Sequence, residues 1–287
     1  MKKNTVLAVS REQELLPFLQ QELRGQSRNN IKSLLTWRQV HVDGKPVGQH
    51  DFALRPGMVV EILWNQPRGA QPDELPILFE DENMIAIDKP AGLLTIATER
   101  ERERTAYRML TEYVRRGDPN ARIFVVHRLD RDTSGVWIVA KSEQAKRALQ
   151  DAWNDRVLRR EYLAVVEGCP EEARGTIRSR LRETKTHLVY SAERGVSAVT
   201  NYELLRRGTQ YSLLRVAIET GRKNQIRVHM HDLGHPIAGD RKYGAASSPI
   251  GRLALHASTL ALKSPFSGEI LTLTARMPKA FERLLRL

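Results

Sequence analysis

His127-Arg128-Leu129-Asp130-Arg131-Asp132-Thr133-Ser134-Gly135 lies between two β-rich runs, Ile123-Phe124-Val125-Val126 and Val136-Trp137-Ile138-Val139-Ala140. Branched and aromatic residues favour strands, and the charged, glycine-ended stretch between them favours a loop. Asp130 is therefore expected where a strand gives way to a loop, a common position for chemistry on a rigid scaffold. An isolated Asp-x-Asp-x-Ser-Gly string predicts only a solvated turn whose Asp and Ser bond their own backbone. The rest of the chain decides between the two readings.

Strand signals dominate on both sides of this stretch, at 77–80, 84–87, 162–166, 199–205, 211–218 and 271–275. Between them, Ser142 to Arg156 reads as a helix with Ala145, Leu149, Ala152 and Trp153 on one face. Residues 97–122 read as a charged connection with a helical middle from Tyr107 to Val114. The mix predicts an α+β domain built on a large, mostly antiparallel mixed sheet. Further along, Thr220 and Gly221 break a strand, and Ile226, Met230 and Leu233 recur at helical spacing until Gly234 and Pro236 end the helix.

Residues 65–76 carry three prolines and a glycine and offer little to bury, so they read as a linker between a small unit at 1–64 and a large domain at 77–287. In the small unit, Leu15, Leu16, Phe18, Leu19 and Leu23 form one helical stripe. Ile31, Leu34 and Leu35 form a second, with Ser27 as its N-cap. Val40-His41-Val42 runs into a tight turn at Asp43-Gly44, with Val59 to Leu63 as a later partner strand.

The 287 residues are 41% apolar, enough for a large core, and 46 Lys and Arg against 34 Asp and Glu give a net charge of +12. That excess favours a polyanionic partner, nucleic acid before membrane. A single cysteine, Cys169, excludes an internal disulfide and a zinc site of the Cys-pair type, and fits a reducing cytoplasm. The apolar stretch near the N-terminus is too short for a secretory signal, and no run reaches the length of a membrane span.

The string at 127–135 closely resembles the catalytic motif of the RluA-type family of RNA pseudouridine synthases, which runs His-Arg-Leu-Asp, two variable residues, Thr, Ser or Thr, then Gly. Asp88-Lys89-Pro90-Ala91-Gly92-Leu93 resembles the family's Lys-Pro-x-Gly turn. Gly234-His235-Pro236 through Gly239-Asp240 and Tyr243-Gly244, and then Leu255-His256-Ala257, resemble further family segments in family order. The resemblance implies a pseudouridine synthase fold and an isomerase that acts on structured RNA. Ribosomal RNA is the favoured substrate and transfer RNA the alternative.

The same resemblance assigns Asp130 as the catalytic carboxylate, Arg227 as the arginine that pairs with it, and Tyr162 as the ring against the target base. Arg128 takes the place of the stacked nucleotide, Arg222 reaches phosphate or braces its loop, and Ile226 and Leu255 wall the pocket. His127 is read as structural. Asn224 stands where the family more often has His. The chemistry requires no cofactor and no metal, and a monomer is expected.

The unit at 1–64 resembles a small S4 RNA-binding domain through Ser27-Arg28, Leu34-Leu35, Val40 to Lys45 and Leu54 to Val60. Glu14-Leu15-Leu16 and Trp37-Arg38 depart from its usual pattern. Arg24, Arg28, Lys32, Arg38 and Lys45 are its candidate phosphate contacts. Two rival readings remain. A non-catalytic S4-containing RNA-binding protein predicts loss of Asp130, Tyr162 or Arg227, all present here. A hydrolase using Asp130 with His127 or Asp132 as base predicts a nucleophile and base held by a third residue, or a metal-ligand cluster, and the sequence offers neither.

Overall fold

The computed structural model describes residues 4–26, 31, 34–35, 39–47, 49–64, 75–98, 101–102, 104–151, 153 and 157–286. The expectations for Ser27, Arg28, Lys32, Arg38, Ala152 and most of the linker fall outside these residues.

In the first part of the chain, β1 (Thr5–Ala8), β3 (Val40–Val42), β4 (Lys45–Pro46) and β6 (Val59–Ile62) form a sheet in the order β1-β6-β3-β4. A two-stranded ribbon joins β2 (Gln13–Glu14) to β5 (Ala53–Leu54). The helix Leu15–Glu22 buries Leu15, Phe18 and Leu19 in one core with Ile31, Leu34, Leu35, Val40 and Val60. Asp43 and Gly44 both take positive φ, the backbone that a tight hairpin turn demands, and the Asp43 carboxylate accepts from the Val59 N–H at 2.9 Å.

The larger sheet contains β7 (Ile77–Glu80), β8 (Met84–Lys89), β9 (Phe124–Val125), β10 (Ser134–Ala140), β11 (Val157–Glu167), β12 (Arg174–Glu183), β13 (Val189–Ala192), β14 (Val196–Arg206), β15 (Tyr211–Ile218), β16 (Leu255–Lys263) and β17 (Ile270–Thr274). Its main order is β13-β12-β14-β15-β11-β16-β10-β8-β7, with β17 on β16 and β9 on β10. All these pairings are antiparallel except β10 with β16. The α+β expectation holds, and the one parallel pair makes the sheet mixed.

Strand β10 is buried along its whole length and packs on both faces. Val136 and Ile138 meet the helix Glu143–Gln150 and its Ala145 and Leu149, while Trp137 and Val139 meet Leu110 of the helix Ala106–Val114. Ser142 caps the first of these helices through the Ala145 N–H at 3.0 Å, and Thr105 caps the second through the Arg108 N–H at 3.1 Å. Gly135 opens β10 with φ +113°, and a Cβ there would fall 2.1 Å from the Ala257 carbonyl oxygen. Only glycine permits that approach of β10 to β16.

Strands β12 and β13 were not anticipated. Along β12 every second residue is exposed, as at Arg178, Arg180 and Arg182, and the inward positions include Ser179 beside Leu181, so no apolar run marks it. The inward face meets the helix Gln225–Asp232, where Ser179 Oγ lies 2.9 Å from His229 Nε2 and Leu181 packs with Val228 and Tyr243.

Candidate functional site

Asp130 sits in the loop between β9 and β10, as expected. Its carbonyl oxygen accepts from the Thr133 N–H at 3.2 Å, and Thr95 Oγ pins the preceding Leu129 by donating to its carbonyl at 2.7 Å and accepting from its N–H at 3.2 Å. Lys89, 0% exposed, holds the loop from below: its ammonium donates to the carbonyls of Pro90 at 2.9 Å, Leu93 at 2.8 Å and Arg131 at 3.1 Å. Burial pushes the Lys89 amine down to about 8, against the upward pull of the Asp132 and Asp130 carboxylates.

The Asp130 side chain is half-buried and makes no side-chain hydrogen bond to another described residue. Burial raises its carboxyl above the usual range. Arg227 opposes that most strongly, followed by Arg128, Lys89 and Lys223. The carboxylate thus stands in a cationic field with its oxygens unengaged.

Arg227 projects from the helix Gln225–Asp232, and its geometry departs from the expected direct pair. Its Nε and Nη2 donate to the two carboxylate oxygens of Asp240, each at 2.7 Å, and its Nη1 donates to Asn224 Oδ1 at 3.3 Å. The guanidinium also lies 5.0 Å from the Tyr243 ring centre. Asp240 therefore takes the bidentate bond and fixes Arg227, which acts on Asp130 through space. Asn224 suits this position because Asn tolerates the left-handed backbone found there, φ 53°. Its amide donates to the Tyr243 hydroxyl at 3.0 Å while its oxygen serves Arg227.

Asp130, Asn224 and Arg227 line one cavity of about 80 Å³ with Arg128, Tyr162, Ile218, Arg222, Ile226 and Leu255. Tyr162 projects from β11, and burial pushes its hydroxyl up to about 12, so the ring offers a neutral face. Ile226 and Leu255 are buried and belong also to the core under the helix. Arg128 is exposed at the mouth. The Arg222 side chain donates to the Ser197 carbonyl at 3.2 Å, and the Arg222 backbone N–H donates to Gln225 Oε1 at 3.1 Å, which braces the loop. The structure thus brings Asp130, Arg227, Tyr162, Arg128, Arg222, Ile226 and Leu255 together. Arg28 and Lys32 fall outside the described residues.

His127 accepts from the Ile138 N–H at its Nε2, 3.2 Å, and stacks on Trp153 with ring centres 5.1 Å apart, while Trp137 Nε1 donates to its carbonyl at 2.9 Å. Burial pushes the imidazole down to about 3, which keeps it neutral and structural. Behind the loop, Arg252 Nη2 donates to Ser134 Oγ at 2.7 Å. The Ser134 hydroxyl is then free to donate to His256 Nδ1 at 2.9 Å. His256, pushed down to about 4 by burial, completes the chain toward the Ala275 carbonyl.

Lys89, Asp240 and Arg252 are the site-supporting residues that sequence reasoning did not assign. Lys89 and Asp240 lie inside recognised motifs whose turns are set by their glycines and prolines, and the motifs give these two residues no role of their own. Arg252 carried no local signal.

Residues 83–232 match the RNA pseudouridylate synthase family. An uncharacterized RNA pseudouridine synthase of Synechocystis is 36% identical over 93% of this chain and 86% of its own length. The ribosomal large subunit pseudouridine synthase D of Xanthomonas campestris is 35% identical over 90% of this chain and 84% of its own length. Among solved structures, human RNA pseudouridylate synthase domain containing 4 superposes with a TM-score of 0.61 at 24% identity, over 73% of this chain and 91% of that one, a likeness of fold.

Proposed function

Because the chain belongs to the RNA pseudouridylate synthase family, we propose that Asp130 is the carboxylate that isomerises uridine to pseudouridine, and that the substrate is ribosomal RNA. The observation that carries this reading is a half-buried carboxylate with free oxygens, set among Arg227, Arg128 and Lys89 and facing a tyrosine ring across the same cavity. Several relatives are ribosomal large subunit pseudouridine synthases, from Xanthomonas campestris, Nitrosomonas europaea and Zymomonas mobilis, which favours ribosomal over transfer RNA.

The reaction breaks the bond from ribose C1′ to uracil N1, turns the base, and joins C1′ to C5. The C5 proton is lost and N1 gains one. Asp130 either attacks C1′ or removes the C2′ proton, and both routes need it ionised. Arg227 and Lys89 favour that form against burial. Tyr162, Ile226 and Leu255 hold the detached base, which a stacking contact worth about 1–3 kcal/mol would retain. Arg128 enters the stack when the nucleotide is drawn out, since a guanidinium plane both stacks and meets phosphate.

The first sheet and its core are read as an S4-like module that positions the RNA, with Arg24 and Lys45 among its phosphate contacts. The enzyme is read as a cytoplasmic monomer. Among the described residues no helix is long and apolar enough to cross a membrane.

The test is tritium release from large-subunit ribosomal RNA transcribed with [5-³H]uridine. The full chain should release the label and Asp130→Asn should not. Release by the variant at the wild-type rate would refute the assignment of Asp130, and label released only from transfer RNA would refute the substrate.

A further inference from the structure

Among the described residues, the cavity that holds Asp130 has a larger neighbour beside the catalytic loop. This second cavity borders the same loop at Arg131, measures about 460 Å³, and is lined by Pro90, Ala91, Leu94 and Met109, with Glu101, Arg104 and Arg131 as its charged groups. That volume is typical of small-ligand sites, about 300–1,000 Å³. Resting on the function proposed above, we propose that this cavity is a second base subsite, which takes a nucleotide flanking the target uridine in the same RNA strand.

Three features argue for this occupant. The two cavities share a wall: Arg128 to Asp130 face one, and Arg131 faces the other. Asp130 and Arg131 are consecutive residues, so an RNA strand crossing the loop passes both cavities. Part of the lining is apolar. Pro90, Ala91 and Leu94 belong to the turn after β8, and Met109 comes from the helix Ala106–Val114, together a surface suited to a base face.

The rim carries the charge that a phosphate needs. The Arg131 carbonyl accepts from the Gly92 N–H at 2.9 Å and from Lys89 Nζ at 3.1 Å, while its Nε donates to the Gly92 carbonyl at 3.3 Å. This anchors the exposed arginine at the seam and leaves its two terminal nitrogens without a bond to any described residue. Arg131, which the motif treats as variable, thus gains a part in choosing the sequence around the target.

The experiment uses the full chain and [5-³H]uridine-labelled large-subunit ribosomal RNA transcripts, with the modified uridine mapped first. Ala91→Trp fills the cavity from a turn position away from the Asp130 carboxylate, and Arg131→Ala removes the phosphate contact. Both should lower kcat/KM about tenfold or more, mainly through KM. An abasic nucleotide beside the mapped uridine should cost the wild type a similar factor and cost Ala91→Trp little more.

Wild-type kcat/KM in Arg131→Ala, or losses that multiply between Ala91→Trp and the abasic RNA, would overturn the subsite. If Ala91→Trp does not fold, Arg131→Ala and the abasic RNA on wild type decide. Failure of the underlying function looks different: the wild type then releases no label from any transcript.

Discussion

Replacing Asp240 by Asn should unfix Arg227 while leaving Asp130 in place. Asp240 is 1% exposed and the Arg227 side chain 12%, and their two bonds are each 2.7 Å. Asn keeps one acceptor and turns an N–H donor toward the guanidinium. Arg227 is left nearly buried with Asn224 Oδ1 at 3.3 Å and the face of Tyr243. Breaking a buried pair on one side costs about 3–5 kcal/mol, because the surviving charge stays desolvated. The assay is urea denaturation of the full chain, with the midpoint and slope fitted for wild type, Asp240→Asn, Arg227→Met and Arg227→Met/Asp240→Leu. The double variant removes both charges and should recover most of the lost stability. It should still release no tritium, since Arg227 no longer supports the Asp130 carboxylate. An Asp240→Asn protein within 1 kcal/mol of wild type, or a double variant as unstable as the single, would refute the reasoning.

Asp130→Asn should abolish turnover yet raise the urea midpoint at pH 7, because burial opposes the ionised carboxylate in the folded state; a fall of more than 1 kcal/mol would contradict this. Tyr162→Phe keeps the ring and should retain at least tenfold more kcat/KM than Tyr162→Ala in the same assay, and equal losses would show that the hydroxyl matters most. His127 and His256 are held neutral, with folded values of about 3 and about 4 below an unfolded value near 6.5. Their contribution to stability is complete above pH 6.5 and falls as pH drops toward 4, where unfolding takes up protons. Urea midpoints measured from pH 7.5 to 4.5 should decline along that path, and His127→Asn should flatten the decline.

The loop at Asp130 was legible because two branched, aromatic runs bracket a charged stretch, and both ends of that signal are local. The helix at 225–232 was legible for a similar reason, since its spacing ends at Gly234 and Pro236. What escaped depends on partners far away in sequence. Arg252 matters through Ser134, 118 residues distant, and Lys89 through the carbonyl of Arg131, 42 distant. Strand β12 was hidden by its arginines, which alternate correctly but contrast with no apolar series. The motif identified Arg227, but its hydrogen bonds run to Asp240, because two carboxylates compete for one guanidinium and the more buried one holds it.

The place of β16 has a consequence for how the chain is made. It enters the sheet between β11 and β10, antiparallel to the first and parallel to the second, although it follows both in the chain by dozens of residues and is made well after them. Until residues 255–263 emerge, the strand that follows the catalytic loop and the strand that bears Tyr162 face each other across a gap, each with an unpaired edge. Such edges invite pairing with other chains. A nascent or truncated chain that stops before Leu255 therefore has no assembled pocket and two sticky margins, so the pocket forms in one step, when β16 enters the sheet.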